Sequence, residues 1–136
     1  MKMNKVFLDT SYVIALSVPK DRNHKKAVSI AEDLELFSTK LITTRAVVME
    51  IGNSLSSLKY RKAAIKLLKS MEEDKNVEII PITEKLYYRG FKLFKSRPDK
   101  EWGVIDCISF VVMADYNLDR ALTTDKHFQL LNLLSI

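Results

Sequence analysis

Four acidic residues that lie far apart in the sequence are the first candidates for chemistry. They are Asp9, Glu50, Asp106 and Asp125. Each lies beside apolar residues or just after an apolar run, where a carboxylate is unfavourable unless a hydrogen-bond donor or a cation meets it. Carboxylate oxygen and water are the ligands that hard divalent ions prefer, whereas soft metals select sulfur. Together, the four residues therefore predict a site for a hard divalent cation.

Asp106 and Asp9 have the clearest local signals. Asp106 stands within the apolar segment 102–112, and a buried aspartate is rare without a partner or a metal. It could also stabilise the N-terminus of its own helix, and the two roles are compatible. Asp9 directly follows the apolar run 6–8, which reads as a buried strand. Capping of the next helix explains Asp9 equally well when it is considered alone.

Glu50 and Asp125 each have a structural explanation as good as the functional one. Glu50 shares one side of a predicted helix with Ser54 and Ser57, and this polar stripe faces either solvent or the wall of a wet cleft. Asp125 follows the strand-like run 121–123. Considered alone, Asp125 is better explained as a helix cap. The metal hypothesis therefore depends on the combination of the four residues.

The composition predicts one compact domain over residues 1–136. The chain is 47% hydrophobic and 29% charged, with three Gly and three Pro, so long loops and disordered tails are not expected. The net charge of +5 favours a polyanionic partner only weakly, because ordinary solvated lysine explains it as well. A single cysteine, Cys107, excludes an internal disulfide and any zinc site built from several cysteines. Without a signal peptide or a membrane-spanning run, we expect a soluble cytoplasmic protein.

Alternating strand and helix patterns predict a parallel sheet covered by helices. Strands are predicted at 6–8, 41–43, 77–82 and 121–123, with a terminal helix turn and a short fifth strand within 130–136. Helices are predicted at 12–16, 24–37, from Arg45 with Thr44 as cap, and at 60–71, 84–95 with Thr83 as cap, and 102–116. The buried side of the third helix is predicted to hold Val47, Val48, Ile51, Leu55 and Leu58. Ligands of such sheets bind beyond the carboxyl ends of the strands, which is where Asp9 and Asp125 lie.

Four blocks of this sequence resemble the PIN-domain ribonucleases, and within them the VapC-like toxin group. The blocks are Phe7-Leu8-Asp9-Thr10-Ser11, Thr44 with Glu50, the segment from Asp99 to Phe110, and Leu122-Thr123-Thr124-Asp125-Lys126-His127-Phe128. The last two blocks are the most specific. All four occur in order and at family-like separations, so the resemblance covers nearly the whole chain.

The resemblance implies a PIN-like three-layer α/β/α fold, with a central parallel sheet of four to five short strands flanked by helices. It also implies an acidic pocket that binds Mg²⁺ or Mn²⁺ and hydrolyses RNA phosphodiesters to a 5′-phosphate and a 3′-hydroxyl. Asp9 and Asp106 match the principal metal ligands, and Glu50 and Asp125 match the remaining acidic positions. Supporting positions around the ligands are Thr10, Ser11, Asp99 and Thr123. Arg45 and Lys126 are candidates for contact with the phosphate backbone of the substrate.

The same resemblance implies an RNA substrate, a small antitoxin protein as partner and a homodimer, with no role for a membrane. Two alternatives within the family stay open: a PIN nuclease in RNA processing or turnover that has no antitoxin, and a non-catalytic RNA-binding module. Two alternatives outside it fit less well. A haloacid-dehalogenase-like phosphatase needs a second aspartate where this chain has Ser11, and a receiver-like signalling module needs paired acids near the first strand, where residues 3–5 provide none.

Overall fold

The structure, a computed structural model, describes residues 5–124. Asp125, Lys126 and the elements predicted for 130–136 lie outside these residues. Within 5–124, all four predicted strands are present and form one parallel sheet in the order β3-β2-β1-β4. The strands are β1 (Lys5–Leu8), β2 (Lys40–Thr44), β3 (Val77–Ile80) and β4 (Ala121–Leu122). The predicted parallel α/β architecture is confirmed.

After the exposed Lys5, the strand β1 is apolar because both faces of the sheet are covered. Val6, Phe7 and Leu8 are all buried, as expected for a strand in the middle of a parallel sheet. Phe7 aligns with Ile42 on β2 and with Ala121 on β4. The carboxyl end of β1 therefore lies between those of β2 and β4.

Six helices connect the strands within the described residues. They are α1 (Thr10–Ser17), α2 (His24–Leu36), α3 (Arg45–Ser54), α4 (Arg61–Glu73), α5 (Glu84–Ser96) and α6 (Val104–Asp115). The chain moves in one direction from β1 to β2 to β3 and then returns past β1 to β4. Because such crossovers are right-handed, α1 to α4 cover one face of the sheet, and α5 and α6 cover the other. This is the predicted three-layer α/β/α arrangement.

Buried side chains and caps fix the helix positions. Tyr12 on α1 is buried and its hydroxyl donates to the carbonyl of Ala27 on α2 at 2.9 Å. Burial raises the pKa of Tyr12 to about 12. Thr44 and Thr83 cap α3 and α5 as predicted, with their hydroxyls accepting from backbone N–H groups at 3.2 and 3.1 Å. None of the helices in this part of the chain is long and apolar enough to cross a membrane.

The prediction that Leu58 lies on the buried side of α3 is wrong. The helix ends at Ser54, with Leu55 as its C-cap, and the Leu58 side chain is 94% exposed. Polar groups after the helix end explain the early termination, because the Ser56 hydroxyl donates to the carbonyl of Asn53 at 3.0 Å. Serine and asparagine compete for helical backbone groups in this way and favour helix ends.

Candidate active site

Asp9 lies at the carboxyl end of β1 and at the N-cap position of α1, and it is only 6% exposed. Its carboxylate makes no side-chain capping bond to α1 in the described part of the chain. Instead, Oδ2 accepts hydrogen bonds from the Ser11 hydroxyl at 2.8 Å and the Thr123 hydroxyl at 2.7 Å. The capping explanation for the side chain of Asp9 therefore fails, and two hydroxyl donors hold one of its oxygens.

The hydroxyl groups around Asp9 join two distant parts of the chain. Ser11 Oγ lies 3.1 Å from Thr123 Oγ1 and also accepts the backbone N–H of Thr124 at 2.8 Å. The backbone N–H of Asp9 donates to the carbonyl of Leu122 at 3.1 Å. Thr123 is fully buried. We call Asp9, Ser11 and Thr123 the hydroxyl clamp.

Glu50 on α3 is connected to the start of α1 and is half-buried. The Thr10 hydroxyl donates to Glu50 Oε1 at 2.5 Å. Thr10 is itself buried and follows Asp9 directly in the chain. The contact with Thr10 therefore brings Glu50 next to the residue that follows Asp9, whereas the predicted polar stripe does not continue, since Ser54 is exposed and Ser57 lies beyond the end of α3.

Asp106 occupies the first turn of α6 and is half-buried. Its Oδ2 accepts the backbone N–H of Gly103 at 3.0 Å. The helix-stabilising role that the sequence allowed is therefore real, and the helix N-terminus favours a negative charge there. Next to it, burial and the Asp106 charge raise the pKa of the Cys107 thiol. Trp102, just before the helix, is buried and packs edge-to-face on Phe110 at 5.0 Å.

Two residues predicted to support the site form ion pairs with partners that the sequence did not indicate. Asp99 is exposed, and both of its oxygens accept from Arg97 at 3.0 Å. The hydrogen-bonded Arg97 guanidinium lowers the pKa of Asp99 to about 2. Arg45 pairs with Glu72 on α4 at the surface. Arg97 lies only two residues before Asp99, so this pair could have been predicted from the sequence. No local signal connects Arg45 with Glu72.

The described residues supply an oxygen-only set of donors. The structure links Asp9, Thr10, Ser11, Thr123 and Glu50 through hydrogen bonds and bonded neighbours. Within residues 5–124, no three acidic, histidine or cysteine side chains form a metal-binding cluster by themselves. The predicted ligand Asp125 follows Thr124 directly and lies outside the described residues. Carboxylates oriented by hydroxyl groups fit Mg²⁺ or Mn²⁺ and do not fit a soft metal.

Solved structures with this fold cover almost all of the chain. The structure of Mycobacterium tuberculosis VapC20, a Sarcin-Ricin loop cleaving toxin, has a TM-score of 0.83 at 21% identity, over 96% of this chain and 98% of that one. VapBC2 from Rickettsia felis, bound to a DNA fragment from their promoter, gives 0.70 at 18% identity over 97% of each chain. FitAcB from Neisseria gonorrhoeae gives 0.63 at 17% identity over 96% of each chain. At these identities the likeness concerns the fold.

Sequence comparison identifies the family. A search of curated proteins gives no match. The family model of the PIN domain, in contrast, matches residues 6–132 and so includes every predicted acidic residue. The observed strand order and the helices on both faces of the sheet agree with that match. The chain belongs to the PIN domain family, with a VapC-like fold.

Proposed function

We propose that this protein is a metal-dependent endoribonuclease. The observation that carries the proposal is the hydroxyl clamp: a buried aspartate at the carboxyl end of the central strand, with one oxygen fixed by Ser11 and Thr123. A buried carboxylate held by donors in this way is typical of a ligand whose orientation matters. Membership of the PIN family supports nuclease activity on this same site.

The proposed ligands for Mg²⁺ or Mn²⁺ are Asp9 and Asp106, together with Glu50 and Asp125. The bound ion would supply an activated water and neutralise charge on the phosphate oxygens. The protein contributes orientation. Ser11 and Thr123 keep Asp9 in one position, and Thr10 directs Glu50. The first turn of α6, where Asp106 lies, favours the negative charge of a nearby phosphate as well as its own carboxylate.

Arg45 and Lys126 are proposed contacts for the phosphate backbone of the substrate. Arg45 is on the first turn of α3, five residues before Glu50, and is paired with Glu72. A phosphate would have to compete with that carboxylate for the guanidinium. The contact of Arg45 with RNA therefore requires that the surface pair with Glu72 opens. Exposed pairs of this kind contribute little to stability, so opening is inexpensive.

The test is cleavage of RNA by the purified protein with Mg²⁺ or Mn²⁺, and with a chelator as the control. Because VapC20 cleaves the Sarcin-Ricin loop, a hairpin with that loop and total cellular RNA are suitable first substrates. We expect 5′-phosphate and 3′-hydroxyl ends, because water attacks instead of the ribose 2′-hydroxyl. Cleavage should therefore persist when the nucleotide before the cut is 2′-deoxy.

Asp106→Asn should lower cleavage by at least about 100-fold, the usual scale for loss of a metal-orienting group. Asp33→Asn is the matched control, because Asp33 is an exposed aspartate on α2, and we expect wild-type activity. Cleavage that survives both the chelator and Asp106→Asn would refute the mechanism. RNA binding without any cleavage would favour the non-catalytic module.

We further propose that the protein is the toxin of a type II toxin–antitoxin pair. Its support is the likeness of the fold to VapC20, which is a toxin, and to VapBC2. The product of a neighbouring gene should co-purify with the protein and inhibit cleavage. If no such gene exists, RNA processing or turnover becomes the better proposal.

The homodimer also stays a proposal, and light scattering of the purified protein measures it directly. The oligomeric state measured in this way does not depend on whether the protein cleaves RNA. A monomer that cleaves RNA would remove the homodimer and leave the proposed chemistry intact.

A further inference from the structure

Helix α5 exposes a row of aromatic rings that the core does not use. Tyr87, Tyr88 and Phe94 are 41%, 63% and 41% exposed, and Phe91 is partly buried between them. Positions 87, 91 and 94 follow helical spacing and so lie on one side of the helix. We call these four residues the α5 stripe. Large aromatic side chains grouped on a surface indicate a binding site more strongly than scattered ones do.

The rings of the α5 stripe are arranged in near-parallel order. The Tyr87 and Phe91 rings lie 6.1 Å apart and are inclined by 5°, and the Phe91 and Phe94 rings lie 6.4 Å apart and are inclined by 21°. A different side of α5 packs on α6, where Gly90 meets Ile108. The stripe therefore presents a row of ring faces and edges next to the close contact between α5 and α6.

The segment that carries the stripe is strongly basic. Residues 84–100 include six Lys or Arg and only two acidic residues. Arg89 is paired with Asp115, and Arg97 is paired with Asp99. Lys92 and Lys95 form no ion pair within residues 5–124, and the Lys95 ammonium lies 4.9 Å from the centre of the Phe91 ring. Aromatic rings and unneutralised lysines thus share one helix.

We infer that the α5 stripe binds unpaired bases of an RNA, with Lys92 and Lys95 meeting its phosphates. Stacking on aromatic side chains beside a basic groove is how proteins hold single-stranded nucleic acid without reading its sequence. Charge favours this occupant over a second copy of the chain, because a symmetric contact through the stripe would bring lysines towards lysines. The inference rests on the proposed function, since it assigns a second contact surface to the same substrate.

A short segment of the chain connects the stripe to the helix that carries Asp106. The C-terminus of α5, with Phe94 and Lys95, leads through residues 97–103 to the first turn of α6, where Asp106 lies. Between positions 87 and 94 a helix rises by about 10 Å, enough for about two or three bases on an aromatic platform. In the proposal, a strand held on the stripe continues towards Asp106.

The test is binding of a fluorescent uridine oligonucleotide of about 12 nucleotides, a length that suits single-strand sites. Anisotropy is measured with a chelator present, so that no cleavage occurs. We expect Tyr88→Ala and Phe94→Ala each to weaken binding by about 5- to 30-fold, and Tyr88→Phe and Phe94→Tyr to restore it. Lys92→Ala and Lys95→Ala should each lower the slope of log affinity against log salt by about 0.7.

Matched controls separate stacking from general effects. Leu58→Ala removes an exposed apolar side chain from the turn between α3 and α4, and Lys62→Ala removes an exposed lysine from α4. Both should bind RNA as the wild type does. A fully paired RNA duplex should not respond to the aromatic substitutions, because its bases cannot stack on the protein.

Several outcomes would overturn the inference. One is unchanged affinity for the oligonucleotide in Tyr88→Ala and Phe94→Ala, and another is an equal loss for the duplex. A third is a change from dimer to monomer with RNA affinity unchanged, which would make the stripe a contact between copies. A different result would contradict the proposed function: the wild type would bind the oligonucleotide as expected and cleave no RNA with Mn²⁺.

Discussion

Asp9 is held in place by hydroxyl groups that come from both ends of the described chain. Ser11 follows it by two residues, whereas Thr123 is separated from it by 114 residues and lies at the end of the neighbouring strand. The Thr123 side chain is fully buried, so water cannot replace its hydroxyl easily. The orientation of Asp9 therefore depends on correct pairing of β1 with β4.

Thr123→Val removes this hydroxyl and keeps the shape of the side chain. We expect metal-dependent RNA cleavage to fall by about 10- to 100-fold, the range seen when an outer-shell partner of a metal ligand is lost. Stability should fall by about 1–3 kcal/mol, since a buried hydrogen bond to a carboxylate disappears. Cleavage followed across a titration of Mn²⁺ measures the first effect, and urea unfolding measures the second.

Thr43→Val is the control for that substitution. Thr43 is also fully buried, but its hydroxyl donates to the carbonyl of Leu8 at 2.8 Å and, among residues 5–124, bonds to no carboxylate. It should lose about 1 kcal/mol of stability and keep its affinity for Mn²⁺. If both variants lost metal affinity equally, the clamp would have no specific role in orienting Asp9.

Residue roles were predictable from the sequence where a local pattern carries them. Asp9 follows a strand-like run, Thr123 ends one, and Thr44 and Thr83 precede helical periods, so strand ends and caps could be assigned. The partner of Arg45 was not predictable, because Glu72 is 27 residues away and exposed ion pairs leave no pattern. The donation from Thr10 to Glu50 likewise required knowledge of how α1 and α3 pack.

The contact between α5 and α6 depends on a glycine. A Cβ atom at Gly90 would lie 2.5 Å from Ile108 Cγ1 and 3.3 Å from the Ile108 backbone. Alanine normally stabilises a helix relative to glycine by about 1 kcal/mol. Here, however, the extra methyl group would push α5 away from α6, and α6 carries Asp106.

We therefore expect Gly90→Ala to lower the free energy of unfolding by about 1–3 kcal/mol, as overpacked contacts do. Gly52→Ala is the matched comparison on α3, where the new Cβ would lie an ordinary 3.5 Å from Leu68 Cδ1. It should raise stability by about 0.5–1 kcal/mol. Urea unfolding of both proteins gives the comparison, and a stabilised Gly90→Ala protein would contradict the close packing described above.

Element boundaries were less predictable than element types. The apolar period of α3 continues formally through Leu55 to Leu58, yet the helix stops at Ser54 because hydroxyl and carbonyl groups of 53–56 bond to each other. The α5 stripe shows the reverse problem. Its aromatic spacing resembles that of a buried face, and only the position of α6 reveals which side of α5 is covered.

The parallel α/β fold class followed from the alternation of strands and helices, since right-handed crossovers leave few arrangements of a parallel sheet. The position of β4 beside β1 was not predictable from alternation alone. That placement brings Thr123 and Thr124 to Asp9 and Ser11. The hydroxyl clamp is thus a property of the strand order, and the proposed ligands depend on the complete domain being folded.

Because the proposed ligands are like charges gathered from the whole domain, a bound cation should stabilise the folded state as a unit. At a free Mg²⁺ or Mn²⁺ concentration of about ten times the dissociation constant, the gain is about 1.4 kcal/mol, or about 5 °C in melting temperature for a domain of this size. The shift should be much smaller in Asp9→Asn, Asp106→Asn and Asp125→Asn, whereas Asp33→Asn should shift as the wild type does. Differential scanning fluorimetry with each ion, and with a chelator as baseline, measures it. Equal shifts in all five proteins would mean that the ion binds elsewhere, and a loss confined to Asp9→Asn and Asp106→Asn would remove Asp125 from the proposed ligands.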